Sequence, residues 1–119
     1  MEITTDIQGI NKVLKEFKGE KAQLWLYDIT HKKIAIRISI NNQDSVVYLI
    51  IANCKYIQGV FSWDNPNLSI EQYSDEKKLE NVYKLIDYDN DFKLEGTAGV
   101  SLAKGLESEF GISFDNFLL

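Results

Sequence analysis

The chain has 119 residues, 45% of them hydrophobic and 12% aromatic, and carries 13 basic against 18 acidic side chains. That suits a single domain, 1–119, with a core of its own, and excludes a disordered or fibrous chain. A net charge of -5 with one arginine, Arg37, excludes the basic stripe of arginine forks by which most nucleic-acid binders hold phosphates.

Thr5 and Gln8 have the spacing of a capping box, and Asp6 adds charge suited to a helix N-terminus. Ile7, Ile10, Leu14 and Phe17 recur at steps of three or four, which predicts an amphipathic helix stopped at Gly19. Residues 24–29 and 34–40 read as a hairpin around Thr30-His31-Lys32-Lys33. In its second strand Ile34, Ile36, Ile38 and Ile40 face a core, while Ala35, Arg37 and Ser39 face a wet side. After a turn at 41–45, residues 46–52 are apolar on both faces, which places them centrally in a sheet under the helix. That run is far too short to cross a bilayer, so no membrane span is expected.

Residues 56–63 read as the next strand, with Asn53-Cys54-Lys55 either a tight turn or a bulge in one long bent strand. Residues 68–73 form a shorter strand, followed by a charged loop or a single helical turn at 74–81. Residues 82–88 and 92–96 make another hairpin. Val100, Ala103, Leu106 and Phe110 fit a helical stripe closed by Gly111, yet residues 100–103 equally suit a strand after a glycine bend. Ile112, Phe114 and Phe117 are expected to close over the core edge. The sum is an α+β domain: an N-terminal helix packed on a curved, mainly antiparallel sheet of about six or seven strands, with a half-open barrel as one version.

The chemistry is sparse. Asp87, Asp89 and Asp91 match the first three ligand positions of a calcium loop, but Phe92 stands where glycine is needed and Ala98 where the bidentate glutamate belongs. The simpler reading is a hairpin tip. One cysteine and one histidine exclude an internal disulfide and a Cys/His zinc cluster. His31 sits between lysines in an expected exposed turn, and Cys54 beside buried strands reads as a small apolar filler. Asp64 and Glu71 are candidates for a carboxylate pair across a turn, though solvated strand ends give the same pattern. Phosphate-loop, dinucleotide and nucleophile-elbow glycine patterns are missing. No catalytic set, metal set or cofactor is expected.

The aromatic residues carry the binding expectation. Trp25 and Tyr27 share one strand face by alternation, Leu24 and Leu26 the other, and Phe61 and Trp63 share a further face. Core packing accounts for such residues, and a concave aromatic surface is the alternative. Trp25, Tyr48, Phe61, Trp63 and Asp64 are therefore the candidate ligand-binding or interaction residues. Residues 1–6 lack a basic segment followed by an apolar one, which makes the cytoplasm the expected location.

The expected function is a small protein-interaction module, one form being an acidic inhibitor of a basic partner, as a toxin-immunity protein would be. The alternative is a small-ligand binder with a pocket between sheet and helix, lined by Trp25, Tyr48, Phe61 and Trp63. A third reading is an enzyme that uses two of His31, Cys54 and Asp64. Strand edges and two-faced apolar strands add a homodimer to the expectations.

Overall fold

The computed structural model describes residues 1–110. Its elements in chain order are β1 (Glu2–Thr4), α1 (Ile7–Phe17), β2 (Lys21–Asp28), β3 (Lys33–Ser39), β4 (Ser45–Ile51), β5 (Cys54–Gln58), β6 (Ser62–Asp64), β7 (Ser69–Asp75), β8 (Glu80–Asp87), β9 (Phe92–Gly96) and β10 (Val100–Leu106). Among the described residues the ten strands form two antiparallel sheets, one in the order β1-β10-β4-β3-β2-β6 and one in the order β5-β9-β8-β7. This is the expected α+β class with an N-terminal helix and antiparallel pairing. The strands are more numerous than the six or seven expected because the one expected at 56–63 divides, residues 2–4 add a short strand, and residues 100–106 take the strand form.

The helix is capped by Asp6, one residue after the expected Thr5. Its carboxylate accepts the Gly9 amide at 2.7 Å while its own backbone stays extended. The helix stops at Lys18, which takes the left-handed conformation at φ 53°, and not at Gly19. Ile10 is fully buried, with Ile7, Val13, Leu14 and Phe17 leaning on the same core. Asn11 does something else: its side-chain oxygen accepts the Ile70 amide at 2.8 Å and its nitrogen donates to the Ile70 carbonyl at 2.9 Å. It thereby satisfies a backbone donor and acceptor on β7, the outermost strand of its sheet.

The core between the sheets combines Ile34, Ile36 and Ile38 of β3 and Val47, Leu49 and Ile51 of β4 with Ile70, Leu85, Leu94 and Ile10. β4 lies between β10 and β3, as an element apolar on both faces must. The side of β3 expected to be wet is not. Ala35 is buried in a second cluster with Val46, Tyr48, Ile50, Ala103 and Phe110, because the outer face of the six-stranded sheet is apolar as well. Arg37 on that face lies 4.7 Å over the Trp25 ring and donates to Glu107 at 2.7 Å.

The segment at 52–55 resolves into a corner. β4 runs into β5 and β9 into β10, each passing from one sheet to the other. Asn53 turns left-handed at φ 51°, its side chain donates to the Thr97 hydroxyl at 2.8 Å, and the Ala98 amide donates to the Ala52 carbonyl at 3.2 Å. Both strands therefore bend as a coupled pair. Gly96 sits inside this bend, where a Cβ would run into the Ile51 side chain and come within 2.6 Å of the Ala52 carbonyl.

The strand expected at 56–63 is two strands in different sheets, separated at Gly59, whose φ of +133° breaks the extended run. The charged segment after β7 is a hairpin connection, with Asp75 accepting the amides of Lys77 and Lys78 and Leu79 left-handed at φ 55°. The expected hairpin of β8 and β9 forms, with a short 3-10 turn at Tyr88–Asn90. Of the two readings of residues 100–103 the strand is the one adopted: β10 pairs with both β4 and β1, and among the described residues a 3-10 turn, Glu107–Glu109, follows. Gly111, Ile112, Phe114 and Phe117 lie outside the described residues. Among the described residues no helix is long and apolar enough to cross a membrane.

Candidate functional site

Two departures from ideal strand pairing open a groove between the sheets. The first is in β2. Its partner β6 reaches only Lys21 to Gln23, after which the Leu24 amide donates to the Phe61 carbonyl at 2.7 Å. Pairing with β3 then shifts between Leu24 and Leu26, leaving Trp25 as the extra residue of a bulge. Alternation is lost there. Leu24 packs between the sheets, Trp25 and Leu26 both join the outer cluster, and Tyr27 returns to line the groove. Trp25 and Tyr27 thus do not share a face, contrary to the simple period of two.

The second departure is in β5, where the register shifts between Cys54 and Tyr56. Ile57 pairs with the buried Leu94 and faces the space between the sheets, yet it remains 44% exposed because nothing from β2 meets it. The result is a cavity of about 450 Å³ bounded by Leu24, Tyr27, Ile34, Cys54, Ile57 and Phe61, with Lys55 and Tyr56 also on its walls. Phe61 is 78% exposed at its lip.

The structure disperses the five candidate residues. Phe61 belongs to this groove. Trp63, two residues on, points into the core: its ring centroid is 4.5 Å from that of Phe92 and its Nε1 donates to Asp87 at 2.9 Å. Tyr48 is buried on the far face of the six-stranded sheet, 4.5 Å from the Phe110 ring, and burial pushes its hydroxyl pKa up. Trp25 lies on that far face under Arg37. Asp64 is exposed on β6, opposite Lys21. Four aromatic residues expected to line one pocket are therefore divided among three places. A cavity of about 480 Å³ does lie beside α1, but Asn11, Leu14, Lys15, Lys18 and Asn67 are among its walls and none of those aromatics is.

Asp87, expected at a strand end beside the hairpin tip, caps the turn at Tyr88–Asn90 and is fully buried. It accepts from Trp63, from the Asn67 amide at 2.8 Å, and from the amide and side chain of Asn90 at 3.2 and 2.9 Å. Asp89 accepts from the Asn67 side chain and Asp91 from the Gln58 side chain, so the three aspartates diverge. Among the described residues no group of three or more His, Cys, Asp or Glu is placed to hold a metal ion.

Cys54 and His31 do lie on adjoining segments, since the Cys54 amide donates to the Lys32 carbonyl at 2.8 Å. Their reactive atoms turn to other partners. The thiol donates to the Ile51 carbonyl at 3.3 Å and burial pushes its pKa up to about 11, which keeps it protonated at neutral pH. The His31 Nδ1 lies 3.2 Å from Asp28, and this hydrogen bond, aided by the Thr30 and His31 amides, holds the Asp28 carboxyl below its ordinary value. Asp64 and Glu71 stand in different sheets and form no pair.

Sequence reasoning missed Leu24, Tyr27, Ile34, Lys55 and Ile57 as groove walls. The bulge at Trp25 and the change of sheet at Asn53 bring them together, and neither has a distinctive residue signature. Comparison with protein-family models, with curated proteins and with solved structures found no match to this chain.

Proposed function

We infer that this chain is a protein-interaction module whose contact face is centred on the groove between β2 and β5. The observation that carries this is the gathering of exposed Tyr27, Tyr56, Ile57 and Phe61 around one opening. Scattered apolar side chains on a surface mean little, whereas a contiguous patch that flanks a groove marks a binding surface. Fully burying a side chain such as Phe61 is worth about 1.5–3 kcal/mol, so a partner that covers this group gains substantial affinity. Phe61 is the anchor in this reading. The net charge of -5 adds long-range attraction toward a partner of basic surface, and the expected setting is the cytoplasm.

The test is affinity capture from lysate of the protein's own source with the wild type and with Phe61→Ser, read by mass spectrometry at low and moderate salt. Phe61→Ser should leave the urea midpoint nearly unchanged, because the side chain is exposed. A stoichiometric partner held by the wild type and lost by the variant supports the reading. Identical recoveries on both proteins overturn it.

A second reading rests on cavity size. About 450 Å³ of mainly apolar space falls within the range of small-molecule sites. Native mass spectrometry of the protein purified from its source separates the two: a co-purifying small molecule displaced by Phe61→Ser favours the ligand reading.

A further inference from the structure

Among the described residues the two sheets have four outer strands, and two of them are too short to offer much further pairing. β1 and β6 are three residues each. β7 is met by α1 at its start, where Asn11 satisfies both backbone groups of Ile70, while Glu71 to Ser74 are exposed. β5 is the outer strand that borders the groove: five residues with a ladder to β9 alone. Its side away from β9 borders the groove, and across the groove the stretch of β2 from Trp25 to Asp28 has β3 as its ladder partner but no β6. An edge strand beside an apolar hollow is a template for one more strand.

Charge narrows the choice of strand. Lys55 lines the groove, and neither it nor Lys32, whose carbonyl receives the Cys54 amide, has an ion pair among the described residues. The nearest carboxylate in the adjoining turn, Asp28, is already engaged by the His31 ring and two amides. Lys32, Lys33 and Lys55 outnumber the carboxylates of Asp28 in the adjoining turn and of Glu95 opposite Tyr56, although the chain as a whole is acidic. We propose that the groove takes an extended segment of a partner protein, which pairs with the free edge of β5, sends apolar side chains inward at alternate positions, and sets a carboxylate against Lys55.

This rests on the interaction reading above and adds the chemistry of the partner. A helix satisfies its own backbone internally and would leave the β5 edge unpaired, whereas a strand completes it. Alternate residues of such a strand face Leu24, Tyr27 and Ile34, where every second side chain meets apolar wall. The carboxylate gives register, since a one-residue slip would carry it away from Lys55 and turn the apolar side chains outward.

The experiment uses a phage-displayed random dodecapeptide library selected on the wild-type protein and depleted on Phe61→Ser. The enriched peptides should alternate apolar and polar residues and carry one aspartate or glutamate. A synthetic copy of the leading peptide should slow amide hydrogen exchange within Lys55–Gln58 by at least about tenfold, and Lys55→Glu should weaken its binding by about tenfold or more. Enrichment of helical three-to-four spacing, selection of lysine and arginine instead of acids, or unchanged exchange in β5 overturns the proposal. So does protection of β5 by the protein itself as its concentration rises, which would make a second copy the occupant. If lysate capture depends on Phe61 but no such peptide emerges, the strand proposal falls and the interaction reading stands. If capture is also indifferent to Phe61, both fall.

Discussion

The Trp63 indole and the Asp87 carboxylate join the two sheets: Nε1 at the end of the six-stranded sheet donates across 2.9 Å to a fully buried acid at the end of β8. A buried carboxylate is tolerated only when its oxygens are filled with donors, and here Asn67 and Asn90 supply the others. Removing the acid strands four donors together. Asp87→Ala should cost about 3 kcal/mol and Asp87→Asn about half of that, by urea denaturation. Trp63→Phe, which keeps the packing against Phe92 and loses the donor, should fall between the wild type and Asp87→Ala. Loss of less than about 0.5 kcal/mol in Asp87→Ala would remove this contact from the account of stability.

Cys54 should be slow toward alkylating reagents. Burial raises its thiol from an ordinary value of 9.0 to about 11, so the thiolate fraction at neutral pH falls by about a hundredfold. The alkylation rate of the folded protein should therefore keep rising with pH past 9, toward 11. The sign of the stability effect follows. The unfolded chain releases this proton first, so the contribution is whole below about pH 9 and is lost as pH climbs through 11. A rate that levels off near pH 8 would show an accessible, ordinary thiol.

Asn11→Ala should lower stability by about 2 kcal/mol, because it leaves the amide and carbonyl of Ile70 without their partner. It should also speed hydrogen exchange at Ile70, measured by NMR, and raise the tendency to aggregate through β7. Asn11→Leu restores apolar contact and should not restore either property.

Gly96→Ala should destabilise by about 2 kcal/mol or more, since its Cβ meets the Ile51 side chain and the Ala52 carbonyl at the inside of the corner. The measurement is the midpoint of thermal unfolding. A neutral outcome would mean that the corner opens without cost.

The local signals in the sequence were read well where one element stays in one sheet. The stripe Ile7, Ile10, Leu14 and Phe17 forms the buried side of α1, and the double-faced apolar run becomes β4 between two neighbours. Alternation failed where the chain changes partner. Trp25 sits in a bulge, Gly59 ends one strand and opens the way to another sheet, and Asn53 bends a third. Each depends on pairing across long sequence separations, which a local period does not encode. Ala35 departs from the expectation for a related reason: whether the side opposite an isoleucine row is wet depends on what β4 and β10 bring to it. For the site, Phe61 was readable as an aromatic candidate, while its neighbours in the groove are products of those same irregularities. Asp87 had one signal that went unused: a buried tryptophan needs an acceptor, and an aspartate ending an apolar strand is a good one.

The placement of β10 has a consequence for how the chain is made. It is the last of the described strands in sequence and yet lies between β1 and β4, pairing Glu2 with Lys104 and Ile51 with Val100. During synthesis β1 waits without a partner, and β4 has β3 alone, until Val100 to Leu106 have left the ribosome. A nascent chain halted short of Val100 therefore presents β4 with one edge and part of its apolar surface unguarded.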